Sequence, residues 1–593
     1  PERAGEVGAC TSHHFAAGVR VLPQADAARH RTSGHGHHDS GPRHRSGTRR
    51  QGGSQVNSAL LITASGLPAL LDVAAPHLEW GPLAPVFVLM AGACVAVLVE
   101  AFVPRSGRRP TQIIVTVATL VVAIASTLTT IARGTRIVAG QGTLAPDGPT
   151  LATWVILLAT GLGTVVLFAE RVGTTQTAFV ASASSVPGSP LEAKAEQEHR
   201  EHTEVYPLLM FAALGMMCFA AANDLIMMFV ALEIFSLPLY LLCGMSRRRR
   251  LLSQEAALKY FLLGALSSAL FLYGIVLLYG CAGSFKLGDL AAAGVTQVGS
   301  SKLIVAGMIL VAVGLLFKIG AVPFASWTPD VYTGAPTPVS GWMAVATKLV
   351  ALVGLMRVLY VGLGAMRWDW QIVLAVVAVA SMGVGAIVGL AQTDMKRLLA
   401  YSAIAHAGFV LVGVVGAWTT QTGMAEGQTG SVSSVLVYMT AYGLASIGFW
   451  LLILMVRRAG GESTEIASWA GIGRSHPWIG VLVVIFMLSF AGIPLTAGFT
   501  GKLVVFLAGW RGGYAWLVLI GVLFSLVAAA FYLRIIVVVF FRSAKEGDDP
   551  VEVAEPSIAG WITLIVCAVF TIVMGVAPQP IIDLFNQAST FLR

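Results

Sequence analysis

Five residues combine the chemistry of proton exchange with surroundings that should keep them from water: Glu233, Lys318, Lys348, His406 and Lys502. They lie in FVALEIFSLPLYLL, LLFKIGAVPF, MAVATKLVALVG, LAYSAIAHAGFVLVG and AGFTGKLVVF, each inside or beside an apolar run. A charge near the midplane of a bilayer costs about 2.5–3.5 kcal/mol on insertion scales, and such residues usually line an ion route. Lys348 is too deep in its run to reach the interface by extending its stem. Glu233 and Lys318 are expected to form an ion pair. Burial favours the neutral form of both side chains and pairing favours the charged form, so making and breaking the pair can move a proton without any cofactor. An imidazole at His406 suits a link between lysines, with Tyr401 about one and a half turns earlier as a helper. Two secondary pairs follow. Glu255 and Lys259 stand at i, i+4 and read as a surface ion pair, with proton entry as the alternative. Asp330 and Tyr332 read as residues that pin a broken helix.

The elements that must hold these groups are membrane spans. Between Lys318 and Lys348 lie Pro323, Pro329, Pro336 and Pro338, so the backbone must leave the helical ladder. At membrane depth that is tolerated only where protein or water surrounds it. A second interruption, SFAGIPLTAGFTGKLVVF, carries Pro494, Gly498, Gly501 and Lys502. Apolar segments near the ~20 residues a span needs recur at 83–103, 111–131, 151–169, 206–222, 225–245, 258–280, 302–322, 338–361, 371–391, 398–417, 432–456, 478–507, 514–541 and 558–577. The expected fold is an all-α polytopic membrane protein with 14 transmembrane helices. The two interrupted spans stand five apart, which places them in two five-helix repeats of opposite orientation. The expected organisation is a basic tail at 1–56, helices 1–3 with a polar loop at 57–203, a first repeat at 204–361, a second at 362–541, and helix 14 at 542–593.

Composition agrees. Of 593 residues 56% are hydrophobic and 11% charged, with mean hydropathy +0.78, far from the about 25% charge of soluble chains. The net charge of +8 does not point to nucleic acid, because residues 1–55 hold eight arginines against four acids. That tail also holds seven of the twelve histidines and reads as disordered, or as sequence upstream of the true start. Residues 57–73 are apolar but short, and read as a non-spanning lead-in. The loop 171–205 is the one long polar connection. Alternate loops carry seventeen positive residues against six, among them Arg105, Arg108, Arg109, Arg247 to Arg250, Lys396 and Arg397 on the rich side. The positive-inside rule then puts those loops in the cytoplasm and both termini outside. The six cysteines form no CxxC, and no P-loop or dinucleotide fingerprint is present, so no metal, cluster, nucleotide or flavin site is expected on this chain.

ALEIFSLPLYLL, LKYFLLGALSSALFLYG, FKIGAVPFASWTPDVYTGAPTPV, DMKRLLAYSAIAHAGF and GIPLTAGFTGK resemble the antiporter-like N subunits of bacterial NADH–quinone oxidoreductase, respiratory complex I. The resemblance covers about 57–593. It implies a proton-translocating membrane-arm subunit, driven by NADH oxidation and quinone reduction on other subunits that carry the FMN and iron–sulfur clusters. The implied partners are a neighbouring antiporter-like subunit, small membrane subunits and lipid in a bacterial cell membrane. It further implies that the family's ion pair falls on Glu233 and Lys318, its connecting lysine on Lys348, its membrane histidine on His406 and its terminal lysine on Lys502. The family often has histidine in its PFHxW stretch, where this chain has Ala325. Two other readings remain: a subunit of a cation/proton antiporter on the same scaffold, and a membrane scaffold that moves no protons.

Overall fold

The computed structural model describes residues 79–171, 178–179, 201–246, 250–296, 302–419, 428–458, 461–543 and 551–592. The expected tail at 1–55, the lead-in at 57–73 and most of the 171–205 loop lie outside the described residues.

Helices α1 (Trp80–Phe102), α2 (Arg105–Ala132) and α3 (Gly148–Ala169) come first, followed by α4 (Val205–Ala221), α5 (Leu225–Cys243) and α6 (Arg250–Ala282). Short α7 (Leu287–Thr296) precedes α8 (Lys302–Ile319), α9 (Trp327–Gly334) and α10 (Thr337–Arg357). The remainder is α11 (Arg367–Leu390), α12 (Met395–Gly416), α13 (Ser431–Met455), α14 (Pro477–Ala491), α15 (Ala497–Arg511), α16 (Ala515–Phe541), α17 (Ile558–Val576) and α18 (Gln579–Gln587). Among the described residues, twelve helices are long and apolar enough to cross a membrane; Val205–Ala221 and Pro477–Ala491 are shorter apolar helices. Several starts are set locally by an aspartate that accepts hydrogen bonds from the first turn. Asp224 accepts from the amides of Ile226 and Met227 at 2.8 and 3.0 Å, and Asp394 from that of Arg397 at 3.0 Å.

The array is layered from centre to rim. In Met395–Gly416 94% of the most apolar window is buried inside the protein, against 28% in Arg105–Ala132, so α12 is core and α2 faces outward. Helices α10 and α13 are nearly as enclosed as α12. These central helices carry Lys348 and His406, which separates both from the lipid side. Apolar residues at the rim remain exposed on α11 (Ile372, Val376) and α16 (Leu519, Leu526), as a membrane solvent allows.

Both interruptions expected from the prolines occur. The first separates α8 from α9, and the second separates α14 from α15, dividing the span expected at 478–507. The sixth span is longer than expected: its helix reaches back to Arg250, so Glu255 and Lys259 lie in its second and third turns rather than at its start. A small antiparallel sheet, unforeseen from sequence, joins β1 (Val456–Arg458) to β2 (Gly461–Glu462) and β3 (Val551–Val553), with Val456 opposite Val553. It closes the loops at the end of the array that carries most of the arginines.

At the second interruption α15 packs so closely on α14 that a Cβ on Gly498 would lie 1.7 Å from the Ser489 carbonyl oxygen. Gly498→Ala should therefore cost about 1–3 kcal/mol by overpacking and lower the melting temperature of the detergent-solubilised assembly. Gly81→Ala, which meets nothing within 4 Å, should leave that temperature unchanged.

Candidate functional site

Where α8 stops at Ile319, Gly320 takes φ +74° and the chain turns out of the helix. The carbonyls released there need donors. The Lys348 amine, projecting from α10, donates to Ile319 O at 2.6 Å, and the Trp327 indole donates to Phe317 O at 3.0 Å. The second interruption repeats the device. α14 stops at Ala491, Gly492 takes φ +80°, and the Lys502 amine donates to Phe490 O at 3.0 Å and Ala491 O at 2.7 Å. Its third contact is to Ser525 Oγ at 2.8 Å. A protonated amine has three N–H donors, and Lys502 places all three.

Lys318 is 1% exposed. Its amine donates to Ser236 Oγ at 2.7 Å and stands 5.4 Å from the ring centres of Phe235, Tyr240 and Tyr260. Such a ring of π faces stabilises a cation. The direct ion pair expected with Glu233 is not formed: among the described residues no carboxylate lies within 4.0 Å of the amine. Ser236, three residues beyond Glu233 on α5, occupies the contact instead, and Glu233 Oε1 is buried without a protein hydrogen bond. The Ser236 hydroxyl in turn donates to Leu232 O, one helical turn back.

His406 lies 5% exposed in α12 between two phenols. Its Nδ1 is 2.5 Å from the Tyr438 hydroxyl of α13 and its Nε2 is 3.1 Å from the Tyr532 hydroxyl of α16. Tyr532 is also hydrogen-bonded to Ser402. Both ring nitrogens are thus occupied by residues other than Tyr401. Five positions along a helix turn the side chain about 140° away, so Tyr401 does not share the histidine's face. A clue to the phenols was present: Tyr438, Tyr442 and Tyr532 sit mid-span, and a buried tyrosine hydroxyl usually has a partner.

The secondary residues form a surface cluster at the arginine-rich end. Lys259 Nζ is 2.6 Å from Glu255 Oε1 and 2.7 Å from Asp330 Oδ2, while Arg397 Nη1 is 3.1 Å from Asp330 Oδ1. Asp330 thereby ties α9 to α6 and α12. Beside it Lys396, read from sequence only as a loop charge, is 3% exposed and 3.1 Å from Glu462 Oε2. Tyr332 is fully buried with no hydrogen bond to its hydroxyl. Among the described residues no group of three metal-ligating side chains occurs.

A helical membrane array with two interrupted helices and buried lysines at both interruptions is the architecture of antiporter-like transport subunits. Residues 222–528 match the family model described as NADH:quinone oxidoreductase/Mrp antiporter, TM. The chain is 99% identical over 538 residues to NADH-quinone oxidoreductase subunit N of Cutibacterium acnes, covering 91% of this chain and 100% of that relative. It is 47% identical to the subunit N of Acidothermus cellulolyticus, over 88% of this chain and 98% of the other. A chain of respiratory complex I from Thermus thermophilus with bound Aureothin superposes with TM-score 0.67 at 31% identity, covering 84% and 98%. A chain of the Mrp complex from Dietzia sp. shares the fold, with TM-score 0.71 at 18% identity over 86% and 97%. The chain belongs to the NADH-quinone oxidoreductase subunit N family.

Lys348→Met keeps the volume of the stem but leaves Ile319 O without its donor. A buried carbonyl stripped of its partner costs about 1–3 kcal/mol, so the variant should melt below the parent assembly. Lys348→Arg, which retains donors, should recover part of the loss.

Proposed function

We propose that this chain is the proton-translocating antiporter-like membrane-arm subunit of NADH:quinone oxidoreductase. In this reading it carries no redox centre itself and uses the free energy of NADH oxidation and quinone reduction on other subunits, which hold the FMN and iron–sulfur clusters. Protons enter from the cytoplasm near Lys318, pass Lys348 and His406, and leave outward near Lys502. The observation that supports this best is the pair of interrupted helices, each capped by an interior lysine.

Chemically, each station can both hold and hand on a proton. Losing one leaves a lysine amine with two N–H donors and a lone pair, so at Lys502 both carbonyls can keep their donors while the Ser525 hydroxyl turns to donate. At Lys318 the Ser236 hydroxyl accepts from the amine and donates to Leu232 O, so a proton bound for Glu233 would pass through water. Buried polar atoms without a protein partner, Glu233 Oε1, Tyr260 OH, Thr328 Oγ1 and Tyr332 OH, are natural places for ordered water to join the stations. The family's frequent histidine is absent at Ala325, which is 4% exposed, and Thr328 is the nearest buried polar side chain in sequence, since the adjacent Ser326 is exposed.

The finer architecture belongs to the same proposal. The twelve long helices, α4, and the α14–α15 pair counted as one interrupted span make fourteen spans. Residues 204–361 and 362–541 form two inverted five-helix units, and both termini face outward. The neighbours are another antiporter-like subunit and small membrane subunits, which would cover part of the exposed apolar rim, with lipid on the rest. A cation/proton antiporter subunit would use the same scaffold, but the 99% identical relative is an NADH-quinone oxidoreductase subunit.

Lys318→Ala and Lys502→Ala, made singly in the assembled complex in proteoliposomes, should each lower protons moved per NADH oxidised. Loss of an intramembrane ionisable group on the route should reduce transport through this subunit about tenfold or more. An unchanged proton-to-NADH ratio in both assembled variants would leave only a scaffold role.

A further inference from the structure

Away from the lysines, one charged pair is wholly enclosed. Arg357 and Asp147 are each 0% exposed, with Nη2 of the arginine 2.7 Å from Oδ1 of the aspartate. Arg357 Nη2 also donates to Thr150 Oγ1 at 2.6 Å, and its Nε to Ala220 O at 3.3 Å. Asp147 accepts further hydrogen bonds from the Thr150 amide at 3.1 Å, the Thr150 hydroxyl at 2.8 Å and the Leu592 amide at 3.0 Å. The Phe591 ring covers the guanidinium with its centre 4.8 Å away. Four parts of the chain thus close on one point: the start of α3, the end of α4, the end of α10 and the segment after α18.

We propose that this pair seals the first helix unit at the end away from the arginine-rich loops, so that a proton on Lys348 has no direct outlet there and must pass to the second unit. The proposal rests on the relay reading above. Arg357 lies nine residues beyond Lys348 on α10, about 13 Å along the helix axis, and so stands between that lysine and the surface. A guanidinium has only donors and does not lose its proton in a protein, so it interrupts any chain of proton transfers. Its charge is balanced by Asp147, but Nη1 is buried without an acceptor and presents a positive edge that disfavours an arriving proton. The carboxylate beside it is already occupied by four donors. Among the described residues no such buried pair closes the end of α15: Arg511, nine residues beyond Lys502, is exposed, and Ser525, the third partner of Lys502, is only half-buried. The two units therefore differ at their outer ends in the sense that a lateral path requires.

The test uses the complete complex in proteoliposomes, with three readouts: NADH oxidation, protons moved per NADH, and the passive decay of an imposed pH gradient. Arg357→Gln should raise passive decay about fivefold or more by removing the electrostatic barrier, while oxidation stays within about twofold of the parent. Arg357→Lys, which keeps the charge, should restore most of the retention. If Arg357→Gln does not assemble, Phe591→Ala keeps the ion pair but opens the guanidinium to water, and should speed decay about twofold. Parental decay in whichever of these two variants assembles overturns the seal. Lys502→Ala, run alongside, separates the two ideas: normal pumping in that variant defeats the relay, whereas lost pumping with unchanged decay in Arg357→Gln defeats only the seal.

Discussion

A backbone carbonyl has no water to turn to inside a bilayer, and each break in a spanning helix releases several of them. This protein breaks two helices at depth and supplies a lysine to each end. Lys348 and Lys502 come from different helices, yet both terminate on the last carbonyl before a left-handed glycine, Ile319 O ahead of Gly320 and Ala491 O ahead of Gly492. The helix dipole adds to the fit, since the C-terminal end of a helix favours a cation. Arg534 does similar work at the rim, donating to Leu390 O and Gln392 O at the end of α11. An interior charge that would be costly alone is thus held by the irregular backbone that would otherwise be costly too.

Charge and break therefore support each other. Even a neutral lysine keeps two donors, enough for the carbonyl contact at Lys348 and for both carbonyls at Lys502. The first unit adds a different kind of site. Lys318 is surrounded by aromatic faces and one serine hydroxyl, an environment that holds a cation without a carboxylate in contact. Glu233 stands on the same helix as that serine and is offset from it by less than one turn. His406 on α12 is clamped by two phenols, one from α13 and one from α16.

The charged clusters at the two ends differ in exposure. Lys259, Glu255, Asp330 and Arg397 are open enough to be weak in energy, and their effect is to hold α9 in place. Arg357 and Asp147 are fully buried, and breaking such a pair from one side is strongly destabilising.

Much of this was legible before any coordinates. Hydropathy placed most of the spans, missing the early start of the sixth, because each must match the bilayer thickness, and Pro323 and Pro494 marked the breaks because proline has no amide to donate. Interior lysines declared themselves because an apolar run has no other reason to contain them. Other features were not legible. Ser236 standing where Glu233 was expected, Tyr438 and Tyr532 on His406 in place of Tyr401, Lys396 buried against Glu462, and the Arg357–Asp147 closure all join residues from separate helices. Sequence alone determined that the chain is an array of apolar helices, where two of them are interrupted and which titratable groups travel with them, since these depend on local periodicity and chain chemistry. Which side chain meets which was decided only by tertiary structure, because those contacts depend on the rotation of each helix about its axis, and packing sets that rotation.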